Sequence, residues 1–135
     1  MTIYKALIRP CFDYACVVYH SMLTKSQSES LEKQQRRILK IVFGFEVSYR
    51  RALEAAGIDR LDVRRSVLRE RFVVKLSDND RFKSWLPLNE TPVYSLRYVT
   101  KYTELPFRTE RLRGAPIYSS RRILNFLELE KRSND

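Results

Sequence analysis

Glycine is scarce in this chain. The three present, Gly44, Gly57 and Gly114, are isolated, so no glycine-rich loop can cradle a phosphate and no Gly-x-Ser-x-Gly elbow can raise a nucleophilic serine. Cysteine is scarce too. Cys11 and Cys16 are the whole complement, and five residues apart on a helix they point in different directions, which excludes a disulfide framework and predicts a reducing, intracellular setting, nuclear or cytoplasmic. With the single histidine, His20, they make at most three metal ligands on one apolar helix, a set that reads as packing residues rather than a metal site. Asp78 and Asp80 lack the glycine and distal glutamate of a calcium loop and read as a solvated turn. No two aspartates are adjacent, so the paired acids that hold two metals for phosphoryl transfer are missing. No apolar run approaches the ~20 residues of a membrane span. The N-terminal stretch carries Asp13 and no small-residue cleavage pattern, so a secretory signal is not expected. These absences predict no cofactor, no metal, no small-molecule substrate and no membrane partner. They describe a chain that binds rather than catalyses.

What the chain does have is positive charge. Its 135 residues carry 26 Lys and Arg against 16 Asp and Glu, a net charge of +10. The first thirty residues are nearly balanced, and the basic excess accumulates beyond them. Such an excess suits a polyanion, nucleic acid above all, with an acidic membrane surface or a merely soluble cationic exterior as the alternatives. A hydrophobic fraction of 44% is enough for a globular core.

The pattern of apolar residues predicts a mainly α protein, a small bundle of four or five helices followed by an irregular or short-strand arm and a short last helix. Residues 1–80 form the helical domain and residues 81–135 the proline-interrupted arm. Residues 2–22 read as one helix or a kinked pair, with Pro10 expected to kink it or to start a second segment. Ser48 caps a short helix that Gly57 ends. A longer helix runs from about residue 60 to Ser77, with Leu61, Leu68, Phe72 and Leu76 on one face and Val63, Val67 and Val74 nearly opposite, which predicts a helix sandwiched between neighbours. Pro87, Pro92, Pro106 and Pro116 interrupt the C-terminal arm. Within it, Tyr94, Leu96, Tyr98, Thr100 and Tyr102 suit either a strand or a helix by spacing, and the β-branched residues favour an extended form. Ser120–Leu129 predicts the last helix.

The stretch Ser26–Gly44 separates its charge from its apolar residues. At 100° per residue, Leu31, Ile38 and Val42 align, flanked by Gln34, Gln35, Leu39 and Ile41. Lys33, Arg36, Arg37 and Lys40 occupy the opposite arc without an acid among them. Ser26 with Glu29 reads as a capping box, and Gly44 as a left-handed C-terminal cap. This helix is expected to dock by one side and offer a row of cations to phosphates with the other. A second candidate is the arginine-aromatic tail, where Arg97, Lys101, Arg108, Arg111, Arg113, Arg121 and Arg122 interleave with Tyr94, Tyr98, Tyr102, Phe107 and Tyr118. Guanidinium groups pair with phosphates and aromatic faces stack on unpaired bases. The alternative is an arm folded on its own core, its arginines paired with Glu104 and Glu110.

Three runs stand out in order: Ile3-Tyr4-Lys5-Ala6-Leu7-Ile8-Arg9-Pro10 continuing to Val18-Tyr19; Leu31 through Gly44 with Tyr49, Leu53, Gly57-Ile58, Leu61 and Arg64-Arg65; and Leu105-Pro106-Phe107-Arg108-Thr109-Glu110-Arg111-Leu112-Arg113 with Pro116-Ile117 and Leu124-Asn125. Together they resemble the region downstream of the polymerase core in non-LTR (LINE-type, jockey-like) retrotransposon reverse transcriptases. The resemblance implies a thumb and post-thumb region that grips RNA or an RNA–DNA hybrid behind the active site of an RNA-directed DNA polymerase. It assigns that grip to Lys33, Arg36, Arg37 and Lys40, with Arg64, Arg65, Arg108, Arg111 and Arg113 as further contacts. The palm and fingers of such an enzyme would precede Met1, and the family's Tyr-x-Asp-Asp type turn is absent. The expectation is therefore a non-catalytic fragment, with the missing polymerase portion as a further partner. A helical protein-interaction domain is the competing class, suggested by the apolar first helix and the two-faced helix 60–77. A helix-turn-helix over 45–60 is a third, resting on Arg50 and Arg51.

Overall fold

The computed structural model describes residues 2–90 and 100–134, and it is mainly helical. Among these residues the α-helices are α1 (Arg9–Asp13), α2 (Cys16–Tyr19), α3 (Lys25–Phe43), α4 (Tyr49–Ala56), α5 (Leu61–Ser77), α6 (Glu110–Arg113) and α7 (Pro116–Asn134). The chain divides into two compact units, Met1–Arg69 and Glu70–Asp135. The boundary thus falls inside α5 rather than at the Asp78–Asp80 turn.

In the first unit, Pro10 opens a second segment, one of the two outcomes expected of it. Residues Tyr4–Ile8 form a π-helical turn, closed by Arg9 N–H bonding to the Tyr4 carbonyl, and Pro10 sits inside the first turn of α1. A proline early in a helix lacks only an amide that has no helical acceptor there. The break comes at Tyr14, which is extended, and Ala15, at φ 50° and ψ 16°. Ala15 is the one non-glycine with positive φ among the described residues.

The N-cap of α3 lies two residues before the expected one. Thr24 accepts from the Gln27 amide at 3.2 Å while the Gln27 side chain accepts from the Thr24 amide at 2.9 Å. Thr24-x-x-Gln27 therefore forms the capping box, and Ser26 with Glu29 does not. Gly44 ends the helix with φ 93° and ψ 157°, positive φ but not the left-handed helical cap expected. Ser48 and Gly57 bound α4 as predicted. Gly57 N–H reaches Glu54 O at 3.1 Å and Ile58 N–H reaches Leu53 O at 3.1 Å, the paired bonds of a Schellman end. Tyr4, Leu39, Ala52, Ala56 and Ile58 form the buried centre of this unit, with Ile8, Ile38, Phe43, Val47, Tyr49 and Leu53 around it.

Helix α5 has the predicted span but not the predicted surroundings. Leu61, Val73 and Leu76 are buried, whereas Val63, Val67 and Val74 are exposed, as is Phe72. The second apolar face is open to solvent, so the helix is not sandwiched among the described residues. Its inward row includes Arg65 in place of an apolar residue.

The second unit gathers Val73, Leu76, Leu86, Tyr102 and Leu124, with Phe82 and Ile123 beside them. A 3₁₀ helix over Asp80–Trp85 leads into residues 87–89, which pair antiparallel with 101–103 through a Leu88–Tyr102 bridge. The expected alternation over Tyr94, Leu96 and Tyr98 lies outside the described residues. Helix α7 is far longer than the Ser120–Leu129 expected, because Pro116 supplies a ready-made first turn. Asn125 on α7 accepts from Tyr102 N–H at 2.9 Å and donates to Tyr102 O at 3.0 Å. Its carboxamide thereby takes the place of a strand neighbour. One turn earlier, buried Arg121 donates to Trp85 O at 2.9 Å and 2.6 Å and to Thr103 O at 3.0 Å. The arm is held by α7 rather than hanging loose.

Candidate nucleic-acid interface

The side of α3 that docks is Glu32, Gln35 and Leu39, all buried. This stripe is rotated from the Leu31–Ile38–Val42 line, since Leu31 and Ile38 are half-buried and Val42 is exposed. Two polar residues can lie inward because other elements satisfy them. Tyr4 Oη donates to Gln35 Oε1 at 2.8 Å, and Gln35 Nε2 donates to Tyr49 Oη at 3.1 Å and Asp59 O at 3.2 Å. Tyr49 Oη donates to Glu32 Oε1 at 2.5 Å. Glu32 Oε2 accepts the Leu61 amide at 3.1 Å, placing a carboxylate at the N-terminus of α5 where the helix dipole favours it. Burial, then the hydrogen bond to Glu32, pushes the Tyr49 hydroxyl well above the usual phenol range. Nothing in the spacing of the sequence marks Tyr4, Glu32, Gln35 and Tyr49 as partners, for each polar group is satisfied across elements.

That docking leaves the four cations on the flank of α3, about a third of a turn round from the buried stripe. Lys33, Arg36 and Arg37 are exposed and Lys40 is half-exposed. None has an acidic partner among the described residues. Arg36 lies over the Tyr49 ring, 4.9 Å from its centroid, a stacking that holds the guanidinium without neutralising it. Lys33 and Arg37 are one turn apart in a row that continues into Ile41, the last member before α3 ends at Phe43. Ile41 and Phe45 are both exposed.

The secondary contacts divide. Arg64 donates to Asp13 Oδ2 through Nε at 2.8 Å and sits 2.7 Å from it through a terminal nitrogen. This is a half-buried, two-pronged pair that ties α5 to α1, and it withdraws Arg64 from any phosphate. Arg65 is fully buried, its Nε donating to Leu61 O at 2.9 Å. It cannot reach a ligand on the surface, and the expectation that placed it in the grip is corrected. The adjacent pair of arginines carried no local sign of this, because Asp13 is 51 positions away in sequence. His20 lies in the same region, Nε2 at 3.2 Å from Ser66 Oγ. Burial, with Arg65 and Arg69 nearby, lowers its pKa to about 4. Arg69 itself bonds Ser21. Cys16 is buried and Cys11 exposed, and burial raises the Cys16 thiol above its ordinary value. Cys11, Cys16 and His20 form no metal-holding group among the described residues.

In the tail, Arg108 and Arg111 are exposed. Arg113 is half-exposed, stacks on Phe107, 5.2 Å from the ring centroid, and pairs with the exposed Glu110 at 3.3 Å. Arg121 is buried on backbone carbonyls, while Arg122 is exposed. Lys101 pairs with Glu128 at 3.0 Å, and Tyr102 is buried. Tyr94, Arg97 and Tyr98 lie outside the described residues. Much of the tail thus adopts the folded-arm alternative. Among the described residues no helix is long and apolar enough to cross a membrane. Compared with known proteins, this chain matches no protein-family model, no curated protein and no solved structure.

Proposed function

We propose that this protein is a non-catalytic nucleic-acid-gripping module, with α3 lying along the backbone of an RNA or RNA–DNA duplex. The observation that carries the reading is the unneutralised row Lys33, Arg36, Arg37 and Lys40 on one exposed flank of a helix whose other side is locked into the core. An A-form duplex is held by shape and backbone charge, which asks for outward cations on a rigid element and not for a base-reading pocket. The resemblance to the thumb and post-thumb region of non-LTR retrotransposon reverse transcriptases supports the same role. On that reading the chain acts with a palm and fingers supplied elsewhere, and its own residues hold rather than react. Arg108 and Arg111, exposed in the second unit, are the further contacts the resemblance assigns; Arg64 and Arg65 serve the fold.

The reading is tested by the salt dependence of binding to an RNA–DNA hybrid. Four phosphate contacts give a log–log slope of about −3 to −4. The triple variant Arg36→Ala, Arg37→Ala, Lys40→Ala is expected to lower the slope by about 2 to 3 at unchanged helicity. Binding that ignores the triple variant rules the grip out.

A second reading, a helical protein-interaction domain, is favoured by the exposed apolar residues of the N-terminal segments, Ile3, Leu7, Tyr14 and Val18, and by Val63 and Val67 on α5. Exposed apolar surface of this kind is a common mark of association. Salt-independent self-association with no affinity for nucleic acid would select it.

A further inference from the structure

Of the four cations on the flank of α3, Arg36 alone rests on an aromatic ring among the described residues, its guanidinium 4.9 Å from the centroid of Tyr49. That ring is itself anchored. Tyr49 opens α4 behind the Ser48 cap, and its hydroxyl reaches back to α3, donating to Glu32 Oε1 at 2.5 Å and accepting from Gln35 Nε2 at 3.1 Å. Burial and the bond to Glu32 raise the hydroxyl above its ordinary pKa, so it stays a donor throughout the physiological range. The ring is fixed through its hydroxyl and gives a face to Arg36.

The nearest acid is turned away from that arginine. Glu32 lies one turn before Arg36, the order in which a glutamate and a cation on a helix surface pair. Its side chain is buried instead, with one oxygen on Tyr49 and the other on the Leu61 amide at 3.1 Å, and the cation it faces is Arg60 at 3.6 Å. Of the acids near Tyr49 in sequence, Glu54 pairs with Arg50, and the exposed Glu46 makes no ion pair among the described residues. Arg36 is exposed, and among the described residues its guanidinium makes no hydrogen bond or ion pair. One face is covered and the donors at its edge are open.

Resting on the nucleic-acid reading, we infer that Arg36 is a preset seat for one backbone phosphate and that Tyr49 is its positioning residue. A freely moving arginine must be immobilised when it binds, and each long side chain so ordered weakens association. Stacking removes part of that loss in advance, while the planar fork keeps its geometry for two phosphate oxygens. Lys33 and Arg37 are exposed with no ring beneath them among the described residues, so they supply charge without fixing a register.

The test is fluorescence anisotropy of the full chain with an RNA–DNA hybrid. Arg36→Ala and Arg37→Ala are each expected to lower the salt slope by about one, with Arg36→Ala weakening binding about threefold more than Arg37→Ala. Tyr49→Leu is expected to weaken binding about threefold in the wild-type background and not at all in Arg36→Ala, the coupling that marks two residues acting as one. Tyr49→Phe keeps the ring and leaves Glu32 held by the Leu61 amide and Arg60. It is expected to retain affinity while its lost hydroxyl bonds lower the denaturant midpoint, whereas a purely structural tyrosine would lose both together. Circular dichroism checks each fold, and the comparison of Arg36 with Arg37 stands even where Tyr49→Leu unfolds the chain. Equal losses at Arg36 and Arg37, a Tyr49→Leu loss undiminished in Arg36→Ala, or a Tyr49→Phe variant as weak as Tyr49→Leu overturns the seat and leaves the grip. A wild-type chain that fails to bind the hybrid, or binds it regardless of salt, overturns both.

Discussion

His20 and the arginines near it show how a single side chain couples charge to folding. The ring is partly buried against Ser66, with Arg65 and Arg69 disfavouring its protonation and Asp62 only weakly opposing them. Its pKa falls from 6.5 in an unfolded chain to about 4 in the folded one. Between those values the unfolded chain binds a proton that the folded chain refuses, so stability rises with pH there. The contribution is complete above about pH 6.5 and is lost as pH falls toward 4. Urea unfolding at pH 7 and pH 4.5 should therefore show a fall that is smaller in His20→Gln, by about 1 to 2 kcal/mol after allowance for partial exposure. An identical fall in variant and wild type refutes the assignment. Arg65 is the complementary case. Both of its terminal nitrogens are buried with no hydrogen-bond partner among the described residues, and its place beside a second arginine gives no hint that this one, rather than Arg64, is the fully buried one.

At the scale of elements, local chemistry and distant contacts contribute separately. The ends of α4 were legible because a serine and a glycine do their work within four residues of themselves. The length of α5 was legible for the same reason, its apolar residues recurring at helical spacing up to Ser77. The face by which α3 docks was not, because Glu32 and Gln35 are poor candidates for burial until Tyr4, Tyr49 and the Leu61 amide are brought to them. Gln35→Ala should accordingly cost the first unit about 2 to 3 kcal/mol, since two hydroxyls and a carbonyl lose a partner. A denaturant midpoint shifted no further than by an exposed alanine substitution such as Gln34→Ala contradicts this. Asn125→Ala should cost a similar amount in the second unit, leaving both backbone groups of Tyr102 without their partner. Its specific sign is faster hydrogen exchange at the Tyr102 amide, which a purely packing role for Asn125 leaves protected.

For the whole molecule, net charge of +10 makes attraction to polyanions general, so specificity has to come from where the charge is free. Folding consumes part of it: Arg64, Lys101 and Arg113 are paired with acids, and Arg65 and Arg121 are buried. The exposed remainder lies on α3 in the first unit and at Arg108 and Arg111 in the second. Replacing Arg108 and Arg111 with alanine should lower the salt slope by no more than about 2, less than the α3 triple variant does, and salt titration of the two variants side by side checks the order. Composition alone settled that the chain is basic, and its helical periodicities with their glycine and hydroxyl caps settled that it is mainly α, since charge, cap and period are properties of near neighbours. Which cations remain outward was settled by folding: Asp13 draws in Arg64 from 51 positions away, and the carbonyls of Trp85 and Thr103 draw in Arg121. Burial of a charge depends on partners that approach only when distant segments meet, and no reading of neighbours along the chain can supply them.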